Sequence, residues 1–483
     1  MKLSTLVKCA VGSGVGLAAL MMAGPGVAFA APSSTVPCTQ AALVAAIRAA
    51  NTAGGGTINL AAGCDYVLTS ADNGENGLPV IMTSISVNGN GATIDGTGVV
   101  RVLEVDGPGN LSAQNVTITG GSADIGGGIE NAGGTVTLNH SQVIGNTASQ
   151  AGGGIASATF DPSSVAKLTL NNSAVTGNSQ TVSGQDGGLG GGGIVNVLGT
   201  ANLNSSQVSN NSAQGFVGGG IANGDYFSFT GMTSFLNLNN SQVDGNTAPN
   251  AGGGGVQNLL GSVTLNSSQV NGNTSLNGGG ISSGNGNGGT PPSTAQLTLN
   301  KSEVDGNTAT APPGAGGPPI AAGGIANGSN AVLNSSEVDN NTASHTSGAG
   351  IVNHGTMTLN KSEVNGNTAA GNGVLASGGG IVSAQGPPGT VPTALTLNNS
   401  LVNNNRAGGV GGGIANGIPL GGPIPLPGGA LTLNKTQVTG NTAAHGGGGI
   451  FNNGGTVTLA GASVTGNTPD NCEPPGTISG CTG

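Results

Sequence analysis

Aliphatic side chains return along this chain at offsets that do not drift. In residues 126–148, "GGGIENAGGTVTLNHSQVIGNTA", Ile129 closes a glycine run and Val136 and Leu138 alternate with Thr135 and Thr137. Val143 then sits between Gln142 and Ile144. Alternation with period two is the mark of a strand with one buried side. It predicts Val136, Leu138 and Val143 inside and Gln142 and Ile144 outside. Eleven copies follow the same rule, anchored on aliphatics from Ile129 to Ile450 and on strand leucines from Leu138 to Leu459. Five residues beyond each leucine stands a Val (Val143 to Val464), and three beyond that an Asn (Asn146 to Asn467). The remaining connections vary in length, so insertions are confined to particular corners.

A period of 20–50 residues built from short strands and tight Gly/Asn corners predicts a solenoid. The expected fold is all-β: a single-stranded, right-handed parallel β-helix with three strands per rung. About eleven regular rungs follow irregular N-terminal ones. One copy buries too few aliphatics to offset the ordering of its own backbone, so rungs must stack. Right-handed coiling follows from the preference of parallel crossovers. Asn follows the strand leucine in ten copies, Asn139 to Asn434, with Ala460 the exception. Asn tolerates left-handed corners and its amide can bond the rungs above and below, so these positions are expected at the turn and in a ladder.

The ends depart from the repeat. Residues 1–30 combine a basic start, an apolar stretch and Ala28-Phe29-Ala30, the pattern of a cleaved signal peptide. No later stretch is apolar enough to cross a bilayer, so no transmembrane segment is expected after its removal. Residues 31–121 read as an N-terminal cap with irregular first rungs, 122–468 as the regular repeats and 469–483 as a C-terminal cap. In the first cap, Leu43, Val44 and Ile47 share one face of a short helix. Cys38, Cys64, Cys472 and Cys481 remain after signal removal, an even number in an exported chain. They predict two disulfides, most simply one closing each end.

Composition narrows function by exclusion. One residue in five is Gly, 6% are charged, and signal removal leaves seven basic residues against nineteen acidic. Nucleic acid needs a Lys/Arg stripe that this chain lacks, so it is not an expected partner. The four histidines, His140, His345, His354 and His445, fall at different repeat positions, so no metal site and no cofactor are expected. Thr recurs before the strand leucine in eight copies, interrupted by Asn202, Asn237 and Val332.

The "GG[GA]I" and "V-x-G-N" elements are similar to the GGAI and FxxN repeats of chlamydial polymorphic outer-membrane proteins, with Val in place of Phe. Residues 38–483 resemble exported bacterial right-handed β-helix proteins. That resemblance implies an extracellular, secreted or non-covalently surface-associated, adhesin-like protein. The segments "GGGTINLAAGCDYVL" and "NGNGATIDGTG" also resemble the opening rungs of pectinase-like enzymes. The clustered aspartates such an enzyme uses as acid and base, and its Gly-His-Gly and Arg-Ile-Lys motifs, have no counterpart here. No catalytic residue can be named.

Two groups remain as candidate binding residues. Glu303, Glu337 and Glu363 occupy one repeat position, and Asp305 and Asp339 the position two residues on. Stacked one rung apart, like charges repel and raise one another's pKa, which suits a cation or sugar site. Tyr226, Phe227, Phe229 and Phe235 cluster in one insertion and could dock a sugar ring or a partner protein. The functional expectation is non-catalytic adhesion, with a polysaccharide or a host or cell-surface protein as partner. The alternatives are a carbohydrate-active enzyme (polysaccharide lyase or glycoside hydrolase) with an unrecognised site, and a structural matrix rod.

Overall fold

The computed structural model describes residues 35–482, apart from 160–163, 183–189, 216, 225–232, 285–293, 311–319, 372, 374–375, 387–391 and 420–425. The expected signal peptide lies outside the described residues. Among those described, no helix is long and apolar enough to cross a membrane.

The described chain is a parallel β-helix. Two successive rungs show its construction: Leu299 pairs with Leu333, Val304 with Val338, Ala309 with Ala343 and Ile325 with Ile351, all in parallel register. All eight side chains are fully buried. The Leu, Val and Ile side chains belong to an interior that includes the anchoring aliphatics from Ile129 to Ile450 and the strand leucines from Leu138 to Leu433. The alternation reads out as expected, with Val143 buried and Gln142 and Ile144 exposed.

Strands fall into three sheets of 27, 11 and 14 strands. The largest, here the amide face, holds two strand segments from each regular rung, such as Gln296–Asn300 and Glu303–Asp305. In the early chain the same two segments are one bent strand, Ser84–Asp95 or Asn110–Thr119. The 11-stranded narrow face carries segments such as Thr308–Thr310. The third, the glycine face, carries those that follow the glycine runs, such as Ile325–Asn327. The runs are needed because rungs approach closely there. A Cβ on Gly324 would lie 2.5 Å from the carbonyl oxygen of Gly350 in the next rung.

Two amide ladders hold the rungs in register. Asn139 to Asn434 form the outward one, in which each side chain from Asn171 on donates to the rung before it, as in Asn334 Nδ2 to Asn300 Oδ1 at 2.9 Å. One detail of the expectation is corrected. The left-handed residue is the one after each of these asparagines, such as Lys301 (φ 50) or Ser335 (φ 49), while the asparagine itself ends an extended strand. The corner side chain points to solvent, so Lys, Ser, His and Asn all serve, and β-branched residues are absent. The inward ladder runs through the Asn146–Asn467 series. Asn307 Nδ2 donates to Asn341 Oδ1 (3.0 Å) and to Val270 O (2.8 Å), and its backbone N–H reaches the same Asn341 oxygen at 2.9 Å. A left-handed Gly306 (φ 63) or Asn340 (φ 53) precedes each such amide and turns it into the core.

The caps form as expected. Helix α1 (Gln40–Thr52) buries Leu43 and Ile47 over the first rung, and its Thr39 N-cap hydroxyl accepts from Ala42 N at 3.2 Å. Val44 packs partly buried beside them. Tyr66 is fully buried there, with its hydroxyl donating to Val36 O at 2.7 Å. Cys38–Cys64 and Cys472–Cys481 are disulfides, one at each end.

Candidate functional site

Pairing register brings the predicted carboxylates together. Gln269, Glu303, Glu337, Glu363 and Leu401 stand at the same position in consecutive rungs, all on the outside of the amide face. Asp305 and Asp339 pair two residues on, half-buried. Hydrogen bonds tie this column to its neighbours: Gln269 Nε2 donates to Glu303 Oε2 (2.8 Å), Asn340 Nδ2 to Asp305 Oδ1 (2.9 Å) and Asn365 N to Asp339 Oδ1 (3.0 Å). Burial pushes the Asp339 carboxyl up to about 7, with Glu337, Asp305 and Glu363 adding to the rise against the Asn365 N–H. Glu337 is raised by burial and by Glu303 and Glu363 on either side. Lys301 and Lys361 stand at the adjoining corner, but every salt bridge among the described residues involves Arg48 or Arg101. No group of three or more His, Cys, Asp or Glu among the described residues is arranged to hold a metal ion.

The aromatic group is only partly placed. Tyr226, Phe227 and Phe229 lie outside the described residues. Phe235 opens the strand Phe235–Asn239 on the amide face, between Thr200 and Ser262 of the adjacent rungs, and is 46% exposed.

A third cluster was not anticipated. Arg101, 5% exposed, pairs with Glu75 (3.2 Å), Glu104 (3.1 Å) and Glu130 (2.7 Å) and donates to Asn76 Oδ1 (2.6 Å) and Ile125 O (2.9 Å). Glu104 and Glu130 are register partners at the start of the glycine face, where alternation points them outward. Burial pushes the Glu130 carboxyl up to about 7, although Arg101 pulls it down. Asp106 is pushed to about 6 by burial and by Glu104 beside it. Arg101 and Glu104 are visible in sequence as an i, i+3 pair. Their meeting with Glu130 depends on the register of the irregular first rungs, which no repeat offset supplies.

The two faces differ in their surroundings. On the amide face the corner between its two segments is always two residues long, as between Asn300 and Glu303. A groove of about 490 Å³ runs along this corner over the early rungs. It is lined by His140, Asn172, Ser205 and Asn240 from the left-handed positions, with Gln142 and Gln207 beside them. Connections of variable length all adjoin the glycine face, whose outward positions past Glu130 are buried as far as Ala415 and mostly apolar: Ala156, Val195 and Ala222, then the polar Gln257 and Ser282, then Ala326, Val352, Val382 and Ala415. The apolar ones form second clusters outside the tube, with Val197 and Leu198 near one end and Ile320 and Ile418 near the other. No family model, curated protein or solved structure matches the chain.

Proposed function

We propose that this chain acts outside the cell as a non-catalytic binding rod, secreted or held non-covalently at a surface, and that its partner is a polysaccharide. The observation that carries this reading is the amide face. It is an open, stacked array of side-chain amides and hydroxyls whose spacing is fixed by the rungs at about 4.8 Å. Such an array offers repeating hydrogen-bond donors and acceptors to a ligand that is itself a repeating polymer. The two disulfides fit an oxidising compartment, and the repeat resemblance to surface-exposed bacterial proteins agrees with it. The test is a glycan array and pull-down with insoluble polysaccharides, using the full chain. Binding without depolymerisation supports the reading, and absence of any carbohydrate binding contradicts it.

One observation favours a second reading, a carbohydrate-active enzyme. Glu130 and Asp106 have pKa values lifted to about 7 and about 6, the range for a general acid at neutral pH, and Arg101 adjoins them. Structural ion networks produce the same shifts. Here Arg101 also pins the 75–76 segment to the first rungs through Glu75 and Asn76. Reducing-end release from a polysaccharide, abolished by Glu130→Gln, would establish the enzymatic reading.

A further inference from the structure

Three features meet on two neighbouring rungs of the amide face. The first is Phe235, the exposed aromatic, at a position filled elsewhere by Thr, Lys, Ser, Gln, Asn or Ala. The second is the pair Asn202 and Asn237, which replace Thr in the outward column next to it and bond to each other, Nδ2 to Oδ1, at 2.9 Å. The third is the amide-lined groove, whose wall includes Asn240 and Gln242 of the Phe235 rung and Ser205 and Gln207 of the rung before.

Strand geometry sets these features in a line. Phe235, Asn237 and Asn239 are alternate residues of one strand and share its outer side, spanning about 13 Å from the aromatic to the groove's edge. Only in these two rungs do both outward columns carry asparagine, Asn202 with Asn204 and Asn237 with Asn239. In each column the amide of the later rung donates one N–H to the earlier oxygen, Asn239 to Asn204 at 2.9 Å. Every such amide keeps a second N–H, and Asn237 keeps its own oxygen for another partner. None of these outward positions is charged.

We infer that Phe235, the Asn202/Asn237 pair and the adjoining groove form a subsite for a neutral polysaccharide. This rests on the polysaccharide-binding reading above and adds where the chain lies and what its charge is. Amides and hydroxyls alone exchange one set of hydrogen bonds for another with water and gain little. An exposed phenyl ring supplies what they lack, an apolar face to cover the C–H face of a pyranose. The adjacent planar amides then fix the ring by accepting from and donating to its hydroxyls. The acid on the same rung, Asp244, and the carboxylates from Glu303 onward would repel an anionic sugar, and the nearest cation in this column, Lys167, stands two rungs before Phe235.

The test is calorimetric titration of the full chain with cellohexaose, maltohexaose, mannohexaose and, as the anionic counterpart, hexagalacturonate. At least one neutral hexaose binds; Phe235→Ala weakens it about tenfold or more, Asn202→Ala with Asn237→Ala weakens it comparably, and Glu473→Gln in the C-terminal cap leaves it unchanged. Phe235 is exposed, so its variant keeps the parent melting temperature, which verifies folding. Preference for hexagalacturonate, or neutral-hexaose binding untouched by both variants, overturns the subsite. If the variants bind polysaccharide on the array as tightly as the parent chain, the subsite falls and the general reading stands. If the parent chain binds no carbohydrate in either assay, both fall.

Discussion

The amide face and the glycine face are built from the same alternating strands, yet their outer surfaces are opposite in character. On the amide face the outward columns are mostly Thr, Asn and Gln, with the Glu303, Glu337 and Glu363 carboxylates in one of them, and the corner within the face never lengthens. On the glycine face the outward column starts as Glu104 and Glu130 on Arg101 and then turns apolar through Ala156, Val195 and Ala222. The connections that vary in length adjoin this second face. Insertions are cheap in chain entropy only where they do not move a paired strand. The rod therefore has one side that is free to change and already covered, and one that is held constant and open.

The largest expected effect tests the charged start of the glycine face. Arg101→Ala leaves the half-buried Glu130 without its counter-charge and should cost about 3 kcal/mol in urea unfolding at pH 8. The loss should shrink at pH 5, where Glu130, with its pKa raised to about 7, is protonated. An equal loss at both pH values would show that packing rather than charge is at stake. Next, Asn341→Ala removes a fully buried amide and strands Val304 O, together with the side-chain and backbone N–H groups of Asn307. We expect about 3 kcal/mol, against less than about 1 kcal/mol for Asn334→Ala in the outward ladder.

A matched pair compares the two faces directly. Val195→Asn places an amide in the covered apolar layer and should cost about 2 kcal/mol. Thr264→Asn, beside Asn237 on the open face, should stay within about 0.5 kcal/mol. Similar costs would mean that the faces are not different in kind. A last prediction concerns Asp339. Its carboxyl rises from 3.8 to about 7 on folding, so between those values the folded state holds more proton than the unfolded. Stability contributed by the protonated form is full below about 4 and is lost as pH climbs through 7. Asp339→Asn should flatten that fall in thermal melts, and an unchanged slope would contradict the assignment.

Much of this was legible because repetition fixes register. The constant offsets from Leu299 to Val304 to Asn307 are enough to stack three strands and predict which side of each is buried. Hence the core and the carboxylate column follow from the repeat, while the end disulfides follow from the even cysteine count. The left-handed corner was misplaced by one residue because Asn300 and Lys301 are adjacent and propensity favours Asn, whereas the exposed corner accepts Lys. The inward ladder was visible as a constant Asn but not as a buried one, since the turn at Gly306 that points it inward is a backbone property. The Arg101 cluster was missed because residues 75, 101 and 130 obey no common offset. The Phe235 subsite was half seen. Asn202 and Asn237 read as interruptions of a Thr column until register set them beside the aromatic.

Hydroxyl-radical footprinting of the full chain, with and without the neutral hexaoses, tests the claim that the open face is the working one. Phe235 lies on the amide face and Phe451 in the outward column of the glycine face, so one digest reports on both. Glycan addition should slow the oxidation of Phe235 and leave Phe451 unchanged. Protection of Phe451 with Phe235 unaltered would contradict it.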